Sequence, residues 1–277
     1  MPFAKYQALG NDYLVVDPAD LAGDLTPDQV RRICDRHYGA GADGLLVGPL
    51  DDEACDFRLR FYNPDGGEFE KSGNGLRIFA RSLWDRGLVG EARFSVATPG
   101  GPVTARVEPG GQRVCVDMGR VSFDSRQIPV AGAAREVLDE TMVVAGRAFH
   151  YCAATMGNPH CVVLCAGVSA EDARRWGPLI EGEARFPNRT NVQFMEVLDE
   201  ANVRIEIWER GAGYTLSSGS SSCAAAAVAH RLGLCGPRVA VHAPGGVIDV
   251  WIEGGIVSMA GPVSKVCDGV LASELFR

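Results

Sequence analysis

The chain has 277 residues, 46% hydrophobic and 22% charged, so it can bury a sizeable core and has the length of one large or two medium soluble domains. A net charge of −8 argues against nucleic acid or an anionic membrane as the main partner, because both call for a basic surface. No apolar run approaches the ~20 residues that cross a bilayer, and the opening MPFAKYQALGNDYLVVD lacks the basic and apolar regions of a secretion signal. Nine cysteines, at 34, 55, 115, 152, 161, 165, 223, 235 and 267, form no CxxC pair and no metal-ligand spacing, and read as reduced thiols of a cytoplasmic protein.

In chain order, LGNDYLVVD (9–17) reads as a Gly-Asn turn into an apolar strand, and TPDQVRRICDRHYG (26–39) as an amphipathic helix with Thr26 as N-cap and Pro27 in its first turn. Short β-branched strands follow at RLRFYN (58–63), ARFSVAT (92–98), VTARVE (103–108) and RVCVDMG (113–119), with a helix expected over 73–86. The later half holds MGNPHCVVL (156–164), a helical segment SAEDARRWGPLIEGEARFP (169–187), the strand ANVRIEIWE (201–209) and a helix over 219–232. The strands RVAVHA (238–243), VIDVWIE (247–253) and IVSMAG (256–261) complete it. Both central helices are apolar on most faces, which predicts that they are buried.

The halves are copies of one another. At a constant offset of 146 positions, Arg58 meets Arg204, Tyr62 meets Trp208, Ser72 meets Ser218, Gly73 meets Gly219 and Gly87 meets Gly233. Outward, ATPGGPVTARV (97–107) matches HAPGGVIDVWI (242–252), and LGNDYLVVD matches MGNPHCVVL. The expected fold class is α+β: two pseudo-symmetric domains from an internal duplication, each a mixed sheet curled around a central helix, with an active site in the cleft between them. The expected limits are 1–118, with 264–277 returning to it, and 119–263.

A Ser-Gly helix start is by itself most simply an N-cap. Two such starts facing one space would also offer free N–H groups and two positive helix ends to a carboxylate, with Gly73 and Gly219 allowing close approach. Two mirrored walls suit racemisation, in which one group removes a proton from one face of a carbon and its partner returns one to the other.

The whole chain resembles the diaminopimelate epimerases, through LGNDYLVVD, GADGLLV (41–47), FYNPDGGEFEKSGNGLR (61–77), MGNPH, RTNVQF (189–194) and ERGAGYTL (209–216). That resemblance implies a cofactor-independent amino-acid epimerase or racemase of lysine biosynthesis, without pyridoxal phosphate or metal, whose partner is a small amino acid. A homodimer is compatible with it. It further implies that Asn11, Asn63, Asn158, Asn191 and Arg210 bind polar groups of the substrate, and that Gly73, Asn74, Gly219 and Ser220 hold its carboxylate by backbone N–H groups. His160 and Glu209 then lie beside the reacting centre.

Three departures stand out. The family's two proton-transfer cysteines are replaced by Ser72 and Ser218; Tyr214 stands where glutamate is usual; GSSSC (219–223) replaces GTGAC. An alcohol is a far weaker acid than a thiol, whose reference pKa is about 8.5. The serines therefore need a neighbouring base, with His160 and Glu209 as candidates. Three accounts stay open: an active serine-bearing branch that epimerises an amino acid or isomerises or dehydrates another one, a silent amino-acid-binding form, and an inert form in which both cysteines were exchanged for serine.

Overall fold

The computed structural model describes residues 1–276. By contact it divides into two compact units, the first Met1–Val116 plus the chain from Gly261 onward, the second Asp117–Ala260. The limits expected from the sequence differ from these by two or three residues at each crossing, and Arg277 lies outside the described residues.

The first unit begins with β1 (Pro2–Ala8), β2 (Asn11–Val16), α1 (Pro27–Cys34), β3 (Gly44–Leu50), β4 (Phe57–Tyr62) and β5 (Glu68–Phe69). It continues with α2 (Gly73–Asp85), β6 (Phe94–Ala97), β7 (Val103–Val107) and β8 (Arg113–Arg120), the last running across the unit limit. The second unit holds β9 (Glu140–Val144), β10 (Arg147–Thr155), β11 (Pro159–Leu164), α3 (Ala170–Glu181), β12 (Asn191–Asp199), β13 (Asn202–Glu209) and β14 (Gly213–Thr215). After these come α4 (Gly219–Arg231), β15 (Arg238–Ala243), β16 (Gly246–Glu253) and β17 (Ile256–Pro262), and β18 (Ser264–Val270) belongs again to the first unit.

Pairing makes the duplication explicit. In the first unit β1–β2 is antiparallel, β2–β3 parallel, β3–β4 antiparallel, β4–β6 parallel and β6–β7 antiparallel, with β5 folded back on β4. In the second, β10–β11, β11–β12, β12–β13, β13–β15 and β15–β16 repeat that alternation, with β14 folded back on β13. An outer strand completes each set, β18 on β1 and β9 on β10.

Each sheet wraps its own helix. α2 packs on β1, β2, β3 and β7, while α4 packs on β10, β11, β12, β13, β15 and β16. Surrounded on so many sides, α4 buries Cys223 through Ala229, and its four alanines at 224–227 let the strands approach closely. Further cores lie on the sheets' other faces, around Leu14, Ile33 and Leu45 in one unit and Met142, Trp176 and Phe194 in the other.

Two expected helices are shorter than their patterns. Thr26 forms the capping box of α1 with Gln29, but the helix stops at Cys34 because Asp35 leaves helical geometry and its carboxylate accepts from the amides of His37 and Tyr38. DRHYG is thus a turn. α3 ends at Glu181 rather than near 187, closed by Gly182. Strands β1, β3, β5, β9, β10, β12, β14 and β18 escaped the pattern search, β3, β10 and β12 because residues buried on both faces do not alternate.

Candidate active site

The first unit builds its wall from the start of β2 and the start of α2. Leu9 and Gly10, at φ 56° and 87°, form the tight two-residue turn between β1 and β2, so β2 opens on Asn11. Strand alternation puts Asn11 and Tyr13 on one face. Asn11 Nδ2 donates to Asp43 Oδ2 at 3.0 Å, and Asn11 Oδ1 accepts from Asn74 Nδ2 at 3.1 Å. Asn74 Oδ1 accepts in turn from the guanidinium of Arg77 at 2.5 Å, and Arg77, fully buried, also donates to the Pro262 carbonyl at 3.2 Å. The far end of this chain is ionic: Asp12 binds Lys5 at 2.9 Å and Arg36 at 2.6 Å, and Arg36 reaches Asp43 at 2.7 Å. Burial alone would raise the Asp12 carboxyl, but the hydrogen bonds from Arg36 and Lys5 outweigh it and hold it at about 2.

Ser72 is the N-cap of α2, its Oγ accepting from the Gly75 amide at 3.0 Å. The Tyr13 hydroxyl lies 3.4 Å from the same oxygen. Tyr13 can lie there because its parallel partner is Gly44, where a Cβ would come within 2.4 Å of the ring. Asn63 ends the β4 segment in a turn, its amide bonded to the Gly67 carbonyl at 2.8 Å and its side chain exposed.

The second unit repeats the frame with different chemistry. Ser218 caps α4, its Oγ accepting from the Ser221 amide at 3.4 Å. Asn158 precedes β11 and donates to Ser220 Oγ at 3.4 Å; its Oδ1 lies 3.1 Å from His160 Nε2. An amide oxygen only accepts, so Nε2 carries the proton and Nδ1 of the neutral ring is an acceptor. Nδ1 and the neighbouring Gln193 Oε1 are both buried and lack a hydrogen-bond partner, while Gln193 Nε2 donates to Ser221 Oγ at 2.9 Å. Turning the Gln193 amide over satisfies every group: Nε2 donates to His160 Nδ1, and the Ser221 hydroxyl donates to Oε1. Burial pushes the imidazole pKa down to about 3, and the charge of Arg210 adds to it.

Asn191 opens β12 beside His160, donating to the Pro159 carbonyl at 2.9 Å and accepting from the Arg210 amide at 3.0 Å. Arg210 also donates to the Asn188 carbonyl at 3.2 Å, and Glu209 is the last, half-buried residue of β13. Within this unit Asn158, His160 and the start of α4 thus form one hydrogen-bonded set, and Asn191 and Arg210 a second that is anchored beside it on the Pro159 carbonyl. His160 makes no hydrogen bond to Ser218. Tyr214 has a structural occupation: its ring lies under Arg174 at 3.8 Å, and its hydroxyl donates to Glu206 at 2.7 Å.

Chemically, both serine oxygens sit where helix amides stabilise negative charge, and the amides of Gly219 and Ser220, like those of the first residues of α2, have no acceptor within the helix. Tyr13, Arg77 and Gln193 are participants that motif reading passed over. Tyr13 was legible as the residue two beyond Asn11 on one strand face. Arg77 and Gln193 lie inside quoted motifs, but only packing reveals their partners. A cavity of about 430 Å³ lined by Ser122, Asp124, Arg126, Arg135 and Glu136 holds none of the candidate residues, and two of its arginines are paired with Asp124 and Glu140. Among the described residues no group of three or more His, Cys, Asp or Glu could hold a metal ion, and no helix is long and apolar enough to cross a membrane.

Comparison with known proteins places the chain in a family. The diaminopimelate epimerase family profile matches residues 3–123 and 152–266. The chain is 55% identical to diaminopimelate epimerase 2 of Nostoc sp., over all of this chain and 97% of the relative. It is 41% identical to the diaminopimelate epimerase of Desulforudis audaxviator, over 97% and 98% of the two chains. Among solved structures, a hydroxyproline epimerase from Agrobacterium vitis shares the fold with a TM-score of 0.74 at 16% identity, covering 98% of this chain and 92% of the other. A Bacillus anthracis phenazine biosynthesis protein of the PhzF family shares it with a TM-score of 0.67 at 16% identity, covering 98% and 99%. The chain belongs to the diaminopimelate epimerase family and is an isomerase of the amino-acid epimerase and racemase class that works without pyridoxal phosphate.

Proposed function

We propose that this protein epimerises diaminopimelate in the cytoplasm, with Ser72 and Ser218 as the proton-exchanging pair. The serine whose own proton has passed to a neighbouring base takes the α-proton on its oxygen, and the other hydroxyl delivers its proton to the opposite face, so the substrate loses one proton and gains one while the negative charge moves from the first serine oxygen to the second. The observation that carries the proposal is the matched placement of the two hydroxyls: each is the N-cap of its helix and accepts from the amide three residues on. Those donors favour charge on the oxygen, which a serine needs more than a cysteine does.

Of the two candidate bases, Glu209 is left by elimination. His160 is neutral, buried and occupied at Nε2 by Asn158, so it serves better by orienting Asn158 and the start of α4. Diaminopimelate is the substrate named for the relatives that match the full chain, and Arg210 suits its second carboxylate by charge and planar geometry.

Incubation with diaminopimelate in deuterated water tests the reading. Incorporation of deuterium at the α-carbon is the expected outcome, and Ser72→Cys with Ser218→Cys is expected to raise the rate. Absence of exchange with every diacidic or dibasic amino acid would sink the proposal. One observation favours a second reading, a silent amino-acid-binding form: the Ser218 hydroxyl oxygen receives only the Ser221 amide and touches no base in its own unit. Calorimetric binding of diaminopimelate without exchange would select that reading.

A further inference from the structure

We infer that Glu181 is a positioning residue that sets the geometry of the two loops presenting Asn191 and Arg210. That Asn191 and Arg210 touch substrate rests on the function proposed above; the hold of Glu181 on the loops does not. Glu181 is the last residue of α3 and only 4% exposed, in a place where a lone carboxylate would be costly. Its Oε2 accepts from the Trp208 indole N–H at 2.7 Å. Its Oε1 accepts from the Gly211 amide at 2.9 Å and from the Arg189 guanidinium at 2.5 Å.

The three donors are not scattered. Trp208 and Gly211 flank Glu209 and Arg210, and Arg189 stands two residues before Asn191. Arg189 and Gly211 adopt φ 58° and 78°, backbone that for arginine persists only when its surroundings hold it. The loops are then joined directly, Arg210 donating its amide to Asn191 Oδ1 and its guanidinium to the Asn188 carbonyl. α3 can come this close because Gly177, one turn earlier, lies against Trp208, where a Cβ would be 2.5 Å from the indole. An apolar residue at 181 would fill the space but leave the indole and Gly211 N–H groups without an acceptor. The carboxylate therefore specifies the loop shape, not merely the packing.

The test is amide hydrogen exchange on the full chain, beside steady-state kinetics with diaminopimelate. Glutamine offers one acceptor oxygen where glutamate offers two, so in Glu181→Gln its NH2 faces a donor. Exchange across 209–213 is expected to quicken about tenfold or more while α4 is unchanged, and KM to rise about tenfold as Arg210 shifts. Adding Trp208→Phe removes the opposing indole donor, and the double variant is expected to regain most of the protection. Unchanged exchange over 209–213 in Glu181→Gln, or equal loss in the double variant, overturns the inference. If Glu181→Gln does not fold, Arg189→Asn carries the test, since asparagine tolerates this φ and removes one donor: about threefold faster exchange supports the inference and no change overturns it. A wild-type protein inert toward every diacidic or dibasic amino acid overturns the proposed function and leaves the exchange result standing.

Discussion

The two units repeat one strand order and place a serine at the same point of the same helix, yet the polar groups behind those serines differ in kind. Behind Ser72 runs a charged chain, Arg77 to Asn74 to Asn11 to Asp43, ending in Arg36, Asp12 and Lys5. Around Ser218 the hydrogen-bonded side chains are neutral, Asn158, His160, Gln193, Ser220 and Ser221, and the charge that acts on them, Arg210, stands outside that set. The substitutions fall at equivalent positions, Tyr13 against His160, Asn74 against Ser220, Arg77 against Cys223. Duplication has preserved the oxygen that caps the helix and released the lining to diverge. The two serines are thus matched in position and unmatched in electrostatics.

The largest expected effect tests whether the shared feature is the functional one. Ser72→Ala and Ser218→Ala each lose an N-cap, costing about 1 kcal/mol of stability. If the pair exchanges the proton, each also lowers α-proton exchange by about 10³-fold. Urea unfolding and deuterium incorporation, run on the same preparations, separate the two. Loss of stability with unchanged exchange would leave both serines as caps.

What could be read from the chain, and what could not, follows the same division. The duplication, the wrapped helices and the Ser-Gly starts were legible because they rest on local signals: turn glycines, caps and periodicity. The charged chain behind Ser72 was not, because Asn11, Asp43, Asn74 and Arg77 meet only when β2, β3 and α2 are packed. The retreat of His160 from its expected role as a base was illegible for a related reason. Its partners Asn158 and Gln193 stand on either side of it, and only burial makes the ring neutral. Tyr214 stood out only as a departure from the usual glutamate, and its contacts with Arg174 of α3 and Glu206 of β13 account for it.

The lining itself can be probed at Arg77 and Cys223. Arg77→Met leaves the Asn74 and Pro262 oxygens without their donor in a fully buried place, and is expected to cost about 2–4 kcal/mol. Cys223→Ala, at the equivalent position, exchanges one small buried side chain for another and is expected to cost about 1 kcal/mol. Equal losses in chemical denaturation would show that the arginine acts as filler and that the contrast between the walls is one of shape.

The second wall carries a pH dependence of its own. The folded pKa of His160 is depressed to about 3, below the ~6.5 of an unfolded chain, so the unfolded state takes up the proton first. Stability from this residue is therefore complete above about pH 6.5 and falls by up to about 1.4 kcal/mol per unit as the pH drops toward 3. His160→Gln keeps a donor for Asn158 and removes the titration. Its denaturation midpoint is expected to fall less steeply than wild type between pH 6.5 and about 4.5. Parallel profiles would mean that the imidazole is hydrated and protonates freely in the fold.

The smallest change separates the walls most finely. Tyr13→Phe keeps the ring against Gly44 and removes only the hydroxyl 3.4 Å from Ser72 Oγ, a long contact whose loss is expected to cost about 0.5 kcal/mol of stability. Its effect on exchange need not be as small. If charge develops on Ser72 Oγ during turnover, the hydroxyl contracts onto it and the variant slows exchange by about tenfold, because a bond to a charged oxygen is roughly twice as strong as one to a neutral oxygen. Ser218 has no such hydroxyl donor from the residue equivalent to Tyr13, so the loss should appear in one direction of epimerisation more than in the other. Starting the reaction from each stereoisomer in turn and comparing initial deuterium incorporation measures that asymmetry directly. Equal slowing from both sides would assign Tyr13 to holding the start of α2, and no slowing at all would make the two walls chemically alike despite their different linings.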